Sequence, residues 1–250
     1  LTNRDFVVTS TAQITVDPLF QGFVIVRSGG NLTIADSTFK LHQQRDNQYD
    51  FIVENGGKLT LTGATVTSDF TFGVTVQPTG AVWLKAGSDL QASGASTVGT
   101  LRSEDSAVGG GVTLSSPNAD IYRSSISSPG TVSFAATDLY AEWLLIEAGG
   151  DPALLLTGGS SADLRGLQAG SVLVESGSQA TISREANFKV SDLTGIPIAG
   201  ATIDSRWGFS GAIVATSVTD AEGRAAAWLV TDPHDDGLRH HLRRLRQGGL

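Results

Sequence analysis

One phrase recurs along most of this chain and restricts its fold more than any other feature. An aliphatic residue is followed six positions later, usually after glycine, by a segment alternating apolar, polar, apolar. It reads Val26 then Leu32/Ile34, Val53 then Leu59/Leu61, Val76 then Val82/Leu84, Ile126 then Val132/Phe134, and Val174 then Ala180/Ile182. The closest copies are GGNLTIADSTF (29–39) and GGKLTLTGATV (56–66). Second elements placed at 32, 59, 82, 112, 132, 154 and 180 are separated by 27, 23, 30, 20, 22 and 26 residues. A period of this size, with short strands in each unit, marks a stacked solenoid in which neighbouring units bury one another's apolar faces.

Each unit reads as a coil. An apolar strand (Phe23–Val26, Phe51–Val53, Val74–Val76, Leu144–Ile146, Val172–Val174) runs into a polar, Gly-containing turn, and an alternating strand follows. A small turn then leads to a third apolar corner at Phe39, Val66, Leu90, Ile121, Leu139 or Leu164. Three corners per coil predict parallel sheets with Val/Leu/Ile columns inside and polar residues outside. Residues 95–125 break the pattern, since Ser103–Ala107 stands where an apolar strand is expected; a loop insertion or a weakly specified coil would account for it.

This grammar resembles the right-handed parallel β-helix of pectin-lyase-like repeat proteins, over residues 20–185. Residues 1–19, with Phe6–Val8 and Ile14/Val16, read as an N-terminal cap or first strand. A left-handed hexapeptide helix would need a strict six-residue period. A β-sandwich would need recurrent Asn-Gly or Asp-Gly hairpin turns, and Asn55-Gly56 is the one such dipeptide before the C-terminal tail. The grammar changes at Glu185–Asn187. Segment 186–233 carries Gly195-Ile196-Pro197, Gly200-Ala201-Thr202-Ile203 and Thr219-Asp220-Ala221-Glu222-Gly223-Arg224-Ala225. These motifs resemble a bacterial immunoglobulin-like or carboxypeptidase-regulatory-like sandwich, here expected to be truncated. Residues 234–250 form a basic, His-containing tail expected to be disordered. The fold class is therefore all-β: a parallel β-helix solenoid with a C-terminal, incomplete Ig-like β-sandwich.

The chain carries a net charge of −8, which argues against a nucleic-acid partner. The charge is uneven: residues 1–238 hold all the acids, and the last twelve residues add Arg239, Arg243, Arg244 and Arg246. The absence of cysteine excludes disulfides, thiolate nucleophiles and Cys-ligated metals. No apolar run reaches the ~18 residues of a bilayer-spanning helix. The chain opens on Leu1 with no initiator Met or leader, so it reads as a processed form or an internal piece of a longer protein. Asn31-Leu32-Thr33 matches a glycosylation sequon, but one match carries little weight.

The β-helix fold hosts polysaccharide lyases and hydrolases, which rely on clustered carboxylates and outward aromatics. Arg45–Asp50 and Arg102–Asp105 are the acidic turns that could line a groove or hold calcium. Neither repeats its acids at coil spacing, and no catalytic residue, metal site or cofactor is assigned. Trp83 lies between Val82 and Leu84 and should point outward, where an indole can stack on sugar. Trp83, Tyr49, Asp46 and Asp50 are the candidate substrate-binding residues. Trp143 reads as core, and Trp207 and Trp228 as the sandwich core. His42 reads as an exposed loop residue, and His234, His240 and His241 as adventitious metal binders at most.

The expectation is a non-catalytic extracellular or cell-surface protein of a bacterium or archaeon, acting in adhesion, surface display or envelope structure. Its partners would be surface glycans or other envelope proteins. The alternative is a carbohydrate-active protein, a polysaccharide lyase or hydrolase or a glycan-binding module, using the outer face of the solenoid. An enzyme should place carboxylates and a base within ~10 Å on one sheet face, whereas a spacer should show only Thr/Ser/Asn ladders.

Overall fold

A computed structural model describes residues 2–97, 99–114, 118–192, 194–206 and 213–235. They form an all-β parallel solenoid of about 8 turns, with no helix. No helix among the described residues is long and apolar enough to cross a membrane. Each complete coil contributes to three parallel sheets: a first that begins with Phe6–Val8, Val24–Val26, Phe51–Val53 and Val74–Val76, a middle one, and a third that begins with Leu19–Gln21, Thr38–Leu41 and Thr65–Ser68.

The middle sheet shows the order most plainly. Its rungs are Thr11–Ile14, Asn31–Ala35, Lys58–Thr62, Ala81–Lys85, Thr100–Glu104, Asn118–Tyr122, Asp138–Glu142, Ser161–Arg165 and the start of Gln179–Lys189, paired in that order. The register places Leu32, Leu59, Val82, Leu101, Ala119, Leu139, Ala162 and Ala180 in one inward column. A second inward column runs Ile34, Leu61, Leu84, Ser103, Ile121, Ala141, Leu164, Ile182. Because the side-chain period of a strand is 2, each coil sends these positions into the core and the residues beside them to the surface.

The phrase read from the sequence holds its phase through the first coils, slips by one sheet, and is back in phase at Val174 with Ala180/Ile182. Val112, Val132 and Leu154 lie on the first sheet, not the middle one. Leu144–Ile146 falls at the third sheet, and Ile121, Leu139 and Leu164 face inward from the middle sheet. The cause is a shortening of the coil. Asp89–Thr97 and Ala107–Leu114 each bend from the third sheet into the first without an intervening loop. Successive rungs there are closer in sequence, from Leu101 to Ala119, than at Leu32 to Leu59. The described residues of 95–125 thus belong to short coils. Ser103 occupies an inward position, buried, with its hydroxyl 2.9 Å from that of Ser124. Ser124 in turn donates to the Tyr122 carbonyl. The pair satisfies groups that would otherwise be costly to bury.

An aromatic line crosses the coils at one end of the core. Phe6–Phe20, Phe20–Phe39, Phe39–Phe51 and Phe51–Phe72 have ring centroids 6.1, 5.9, 5.4 and 6.0 Å apart. At the corner between the first and middle sheets, Gly30, Gly57, Gly80 and Gly99 stack because the chain passes too close to the previous coil for a side chain. A Cβ on Gly57 would lie 2.6 Å from the Val26 carbonyl oxygen, and one on Gly30 would lie 2.4 Å from that of Val8. Later coils fill the corner with buried Thr137, Ser160 and Ser178, whose hydroxyls bond backbone groups instead.

The strand Gln179–Lys189 passes through Glu185–Asn187 without a break. Its first residues pair in parallel with Ser161–Arg165, and its whole length pairs antiparallel with Arg224–Asp235. The change of grammar at this point is therefore a change of partner. Thr202–Arg206 pairs antiparallel with Ile213–Val218. The Asp220 carboxylate accepts from the Glu222 and Arg224 amides, forming the turn expected from the Thr-Asp-x-x-Gly motif. The described apolar core ends at Ile182, and Ile196, Ile198 and Val218 are exposed. Trp207 and residues 236–250 lie outside the described residues.

The glycine corner generates a stability test. Gly57→Ala should destabilise the chain by about 2 kcal/mol, because the added methyl meets rigid backbone. Gly170→Ala, whose Cβ would have only an ordinary 3.9 Å contact, should stay within about 0.5 kcal/mol of the parent. Urea midpoints for the two variants check the contrast, and equal midpoints would refute it.

Candidate functional site

The four candidate residues divide between two places. Tyr49, Asp46 and Asp50 lie on the turn that joins Thr38–Leu41 of the third sheet to Phe51–Val53 of the first. Trp83 lies on the outward face of the middle sheet.

The turn is laced to the next coil. Asp46 Oδ1 accepts from the Thr71 amide at 2.9 Å, and Asp50 Oδ1 accepts from the Gly73 amide at 2.6 Å. The Thr71 amide bond holds the Asp46 carboxyl below its ordinary range. Tyr49 packs edge-on against Phe23 with centroids 5.6 Å apart. Gln43, overlooked in the sequence as one of a polar run, organises the turn. It is 2 % exposed; its Oε1 accepts from the Gln48 and Tyr49 amides, and its Nε2 donates to Ser68 Oγ at 2.8 Å. His42 stands 3.5 Å from Asp69, which also binds Lys40. Among the described residues, no group of three or more His, Cys, Asp or Glu is placed to hold a metal ion.

The outward face of the middle sheet is chemically richer. Its central column runs Gln13, Thr33, Thr60, Trp83, Arg102, Asp120, Tyr140, Asp163, Thr181, one residue per coil. Strand spacing sets successive members about 4.8 Å apart. Flanking columns add Lys58 and Asp138 on one side, and Lys85, Glu104, Tyr122, Glu142 and Arg165 on the other. The acids therefore recur on every second rung, Asp120 and Asp163 about Tyr140 and Glu104 and Glu142 about Tyr122, an order that the slipped phase concealed in the sequence.

Neighbouring side chains organise one another. Tyr122 and Tyr140 have centroids 5.4 Å apart, and the Arg165 guanidinium sits 5.3 Å from the Tyr140 ring. Tyr140 donates its hydroxyl proton to Glu142 at 3.0 Å; burial, followed by this bond, raises the Tyr140 phenol above its usual range. Arg165 donates to Asp163 at 3.0 Å. Lys58 Nζ lies 3.0 Å from the centroid of the Trp83 ring, a cation–π contact that covers part of the indole. The third sheet is plainer: its outward columns run Thr38, Thr65, Asp89, Ala107, Ser125, Leu145 and Lys40, Thr67, Gln91, Gly109, Ser127, Glu147, with no aromatic residue.

A groove of about 580 Å³ follows the adjoining corner, lined in part by Asp89, Asp105, Arg123, Trp143 and Leu145. Trp143 is not core: it is 40 % exposed. It occupies the turn position that Asp36, Gly63, Ala86, Asp105, Arg123 and Gly166 hold in other coils, all with positive φ, and it adopts φ 57°, a strained conformation for a bulky residue. Its indole lies over Gly166, where a Cβ would come within 2.8 Å, and its ring centroid is 5.4 Å from that of Trp228. Trp228 thus meets the solenoid wall. Asp105 receives two bonds from Arg123, at 2.6 and 2.8 Å, which hold its carboxyl below the ordinary range.

No family model, curated protein or solved structure matches the chain.

The lowered carboxyls predict the direction of acid sensitivity. A carboxylate whose pKa is lower in the folded chain stabilises the fold above the ordinary value of 3.8, and this contribution is lost as pH falls through the folded value. The melting temperature should therefore begin to fall as pH drops past 3.8. Asp105→Asn and Asp46→Asn should each lower it at pH 7 and flatten the acid decline. Calorimetry across this range checks the sign, and variants with an unchanged acid decline would contradict it.

Proposed function

We propose that this chain is a non-catalytic extracellular or cell-surface module of a bacterium or archaeon. Its solenoid serves as a rigid scaffold, and the outward face of its middle sheet binds surface glycans. The observation that carries the reading is the column Trp83–Arg102–Asp120–Tyr140–Asp163, flanked by Tyr122, Glu104 and Glu142. Flat aromatic surfaces suit the apolar faces of sugar rings, while charged and hydroxyl groups beside them exchange hydrogen bonds with sugar hydroxyls. Preformed strands hold these groups, so little ordering accompanies binding. Right-handed winding is part of the proposal, because parallel strand crossovers strongly favour that hand. So is an Ig-like origin for residues 186–233, supported by the antiparallel pairs and the Asp220 turn.

A hydrolytic reading is favoured by one observation. Asp120 and Asp163 flank Tyr140 two rungs apart, a backbone spacing of about 9.6 Å that approaches the separation of an inverting carboxylate pair. Binding without cleavage is favoured by the engagement of Asp163, Glu142 and Glu104 with Arg165, Tyr140 and Arg123. Among the described residues, every carboxyl with a displaced pKa is displaced downward, at Asp46, Asp69, Asp105 and Asp192. A general acid needs the opposite displacement.

Glycan-array binding with a parallel reducing-sugar assay tests the proposal. Tyr140→Ala should weaken the strongest glycan by about three- to tenfold, the range of an aromatic contact, with no sugar released by the parent chain. Sugar release abolished in Asp120→Ala would sink the non-catalytic reading.

A further inference from the structure

The cations on the middle sheet are gathered rather than dispersed. Lys58, Lys85 and Arg102 come from three successive coils and approach one indole: Lys58 Nζ, Lys85 Nζ and Arg102 Cζ lie 3.0, 5.0 and 6.0 Å from the Trp83 ring centroid. Four other basic side chains on the solenoid, Arg27, Lys40, Arg123 and Arg165, each lie within 4.0 Å of a carboxylate, whereas Arg4 and Arg45 stand singly on separate turns. Among the described residues, the charged groups of Lys58, Lys85 and Arg102 make no ion pair or hydrogen bond. This positive island lies in a chain of net charge −8.

The pairing register prevents the strands from separating these charges. Lys58 is fixed opposite Ala81, Trp83 opposite Arg102, and Lys85 opposite Thr62. The two ammonium groups share a ring within the ~8 Å Debye length at physiological ionic strength, so bulk salt screens their repulsion only partly. Burial and then the Lys85 charge make Lys58 easier to deprotonate than a free lysine. The ring face offsets part of this repulsion, and an anion seated among the three would remove the rest.

The arrangement also indicates the shape of that anion. A planar carboxylate is best matched by the parallel fork of one arginine. Here three donors on separate stems converge around an apolar ring, which suits a tetrahedral oxyanion with an oxygen for each cation. We propose that Lys58, Lys85, Arg102 and Trp83 form a site for a sulfate or phosphate ester carried on a sugar, with the sugar packed against the indole. The inference rests on the reading of this face as a glycan-binding surface. Asp120 follows Arg102 in the central column, and Glu104, turned toward Arg123 at 3.5 Å, follows Lys85. These acids close the positive stretch after one ester group. The site selects a discrete ester rather than a densely charged polymer.

Titration calorimetry of the full chain tests this with three probes: a dextran oligosaccharide, its sulfated form and its phosphorylated form. At least one ester should bind about tenfold or more tightly than unmodified dextran, with affinity falling as salt rises. The ratio between the esters identifies the preferred source of the oxyanion. Lys85→Gln and Arg102→Gln should each remove most of the preference, and Lys85→Arg should retain it. Lys40→Gln, whose parent residue pairs with Asp69 on another sheet, should change nothing. Unmodified dextran bound as tightly as both esters would overturn the ester site; if Tyr140→Ala weakened that binding, the glycan-binding face would stand alone. Ester binding sensitive to Lys85→Gln but unaffected by Tyr140→Ala would retain the anion site and remove the extended glycan face. Failure of both esters to bind at about 1 mM, an interaction weaker than roughly 4 kcal/mol, would overturn the proposal.

Discussion

Each solenoid strand takes its backbone partners from the coil before it and the coil after it. One coil alone has neither a satisfied backbone nor a closed core, because its inward residues touch their counterparts above and below. Parallel registration of whole coils is therefore the constraint on which the other features depend. It fixes Leu59 on Leu32 and Val82 on Leu59, and it fixes the corner glycines under the carbonyls of preceding coils. It also gives the outer surface its order. A residue placed outward in one coil acquires a neighbour about 4.8 Å away in the next, whatever their separation in sequence.

That order explains which parts were legible in the sequence. The aliphatic columns and the Gly-Gly corners can be read locally, since Leu32/Ile34 and Leu59/Leu61 repeat almost letter for letter. The phase beyond Gly99 was hidden because the turn between the third and first sheets disappears in Asp89–Thr97 and Ala107–Leu114, while Ser103 replaces an apolar core residue. Displaced by one sheet, the sequence concealed that Asp120, Tyr140 and Asp163 follow Trp83 and Arg102 on one face. Trp83 was legible as an outward residue because its two neighbours are plain core aliphatics. Asp46 and Asp50 were attractive as ligands because they are clustered acids, but the structure turns them to backbone amides of the following coil. No local pattern reveals that partner.

The contrast among faces is a consequence of composition on a regular lattice. The third sheet mixes Thr, Ser and Gln with single charges at Lys40, Asp89 and Glu147 and an exposed Leu145. The middle sheet passes from Thr33 and Thr60 through an aromatic and three cations to alternating acids and tyrosines. A ligand lying along the coil axis would meet these environments in sequence. Specificity on such a surface comes from their order more than from the strength of any one contact. Trp143, held in a strained turn beside the groove and against Trp228, extends aromatic surface around the adjoining corner.

The antiparallel pairing of Arg224–Asp235 with Gln179–Lys189 has a further effect. A solenoid end normally presents a strand running in the direction needed to template another coil, and such an edge invites indefinite stacking. Here the last rung of the middle sheet is covered by a strand of opposite polarity, which breaks the repeat geometrically and not merely by shielding it. Lengthening the rod at this face would require removal of the reversed strand first. The arrangement acts as a stop on fibre growth, written into chain direction rather than into surface charge.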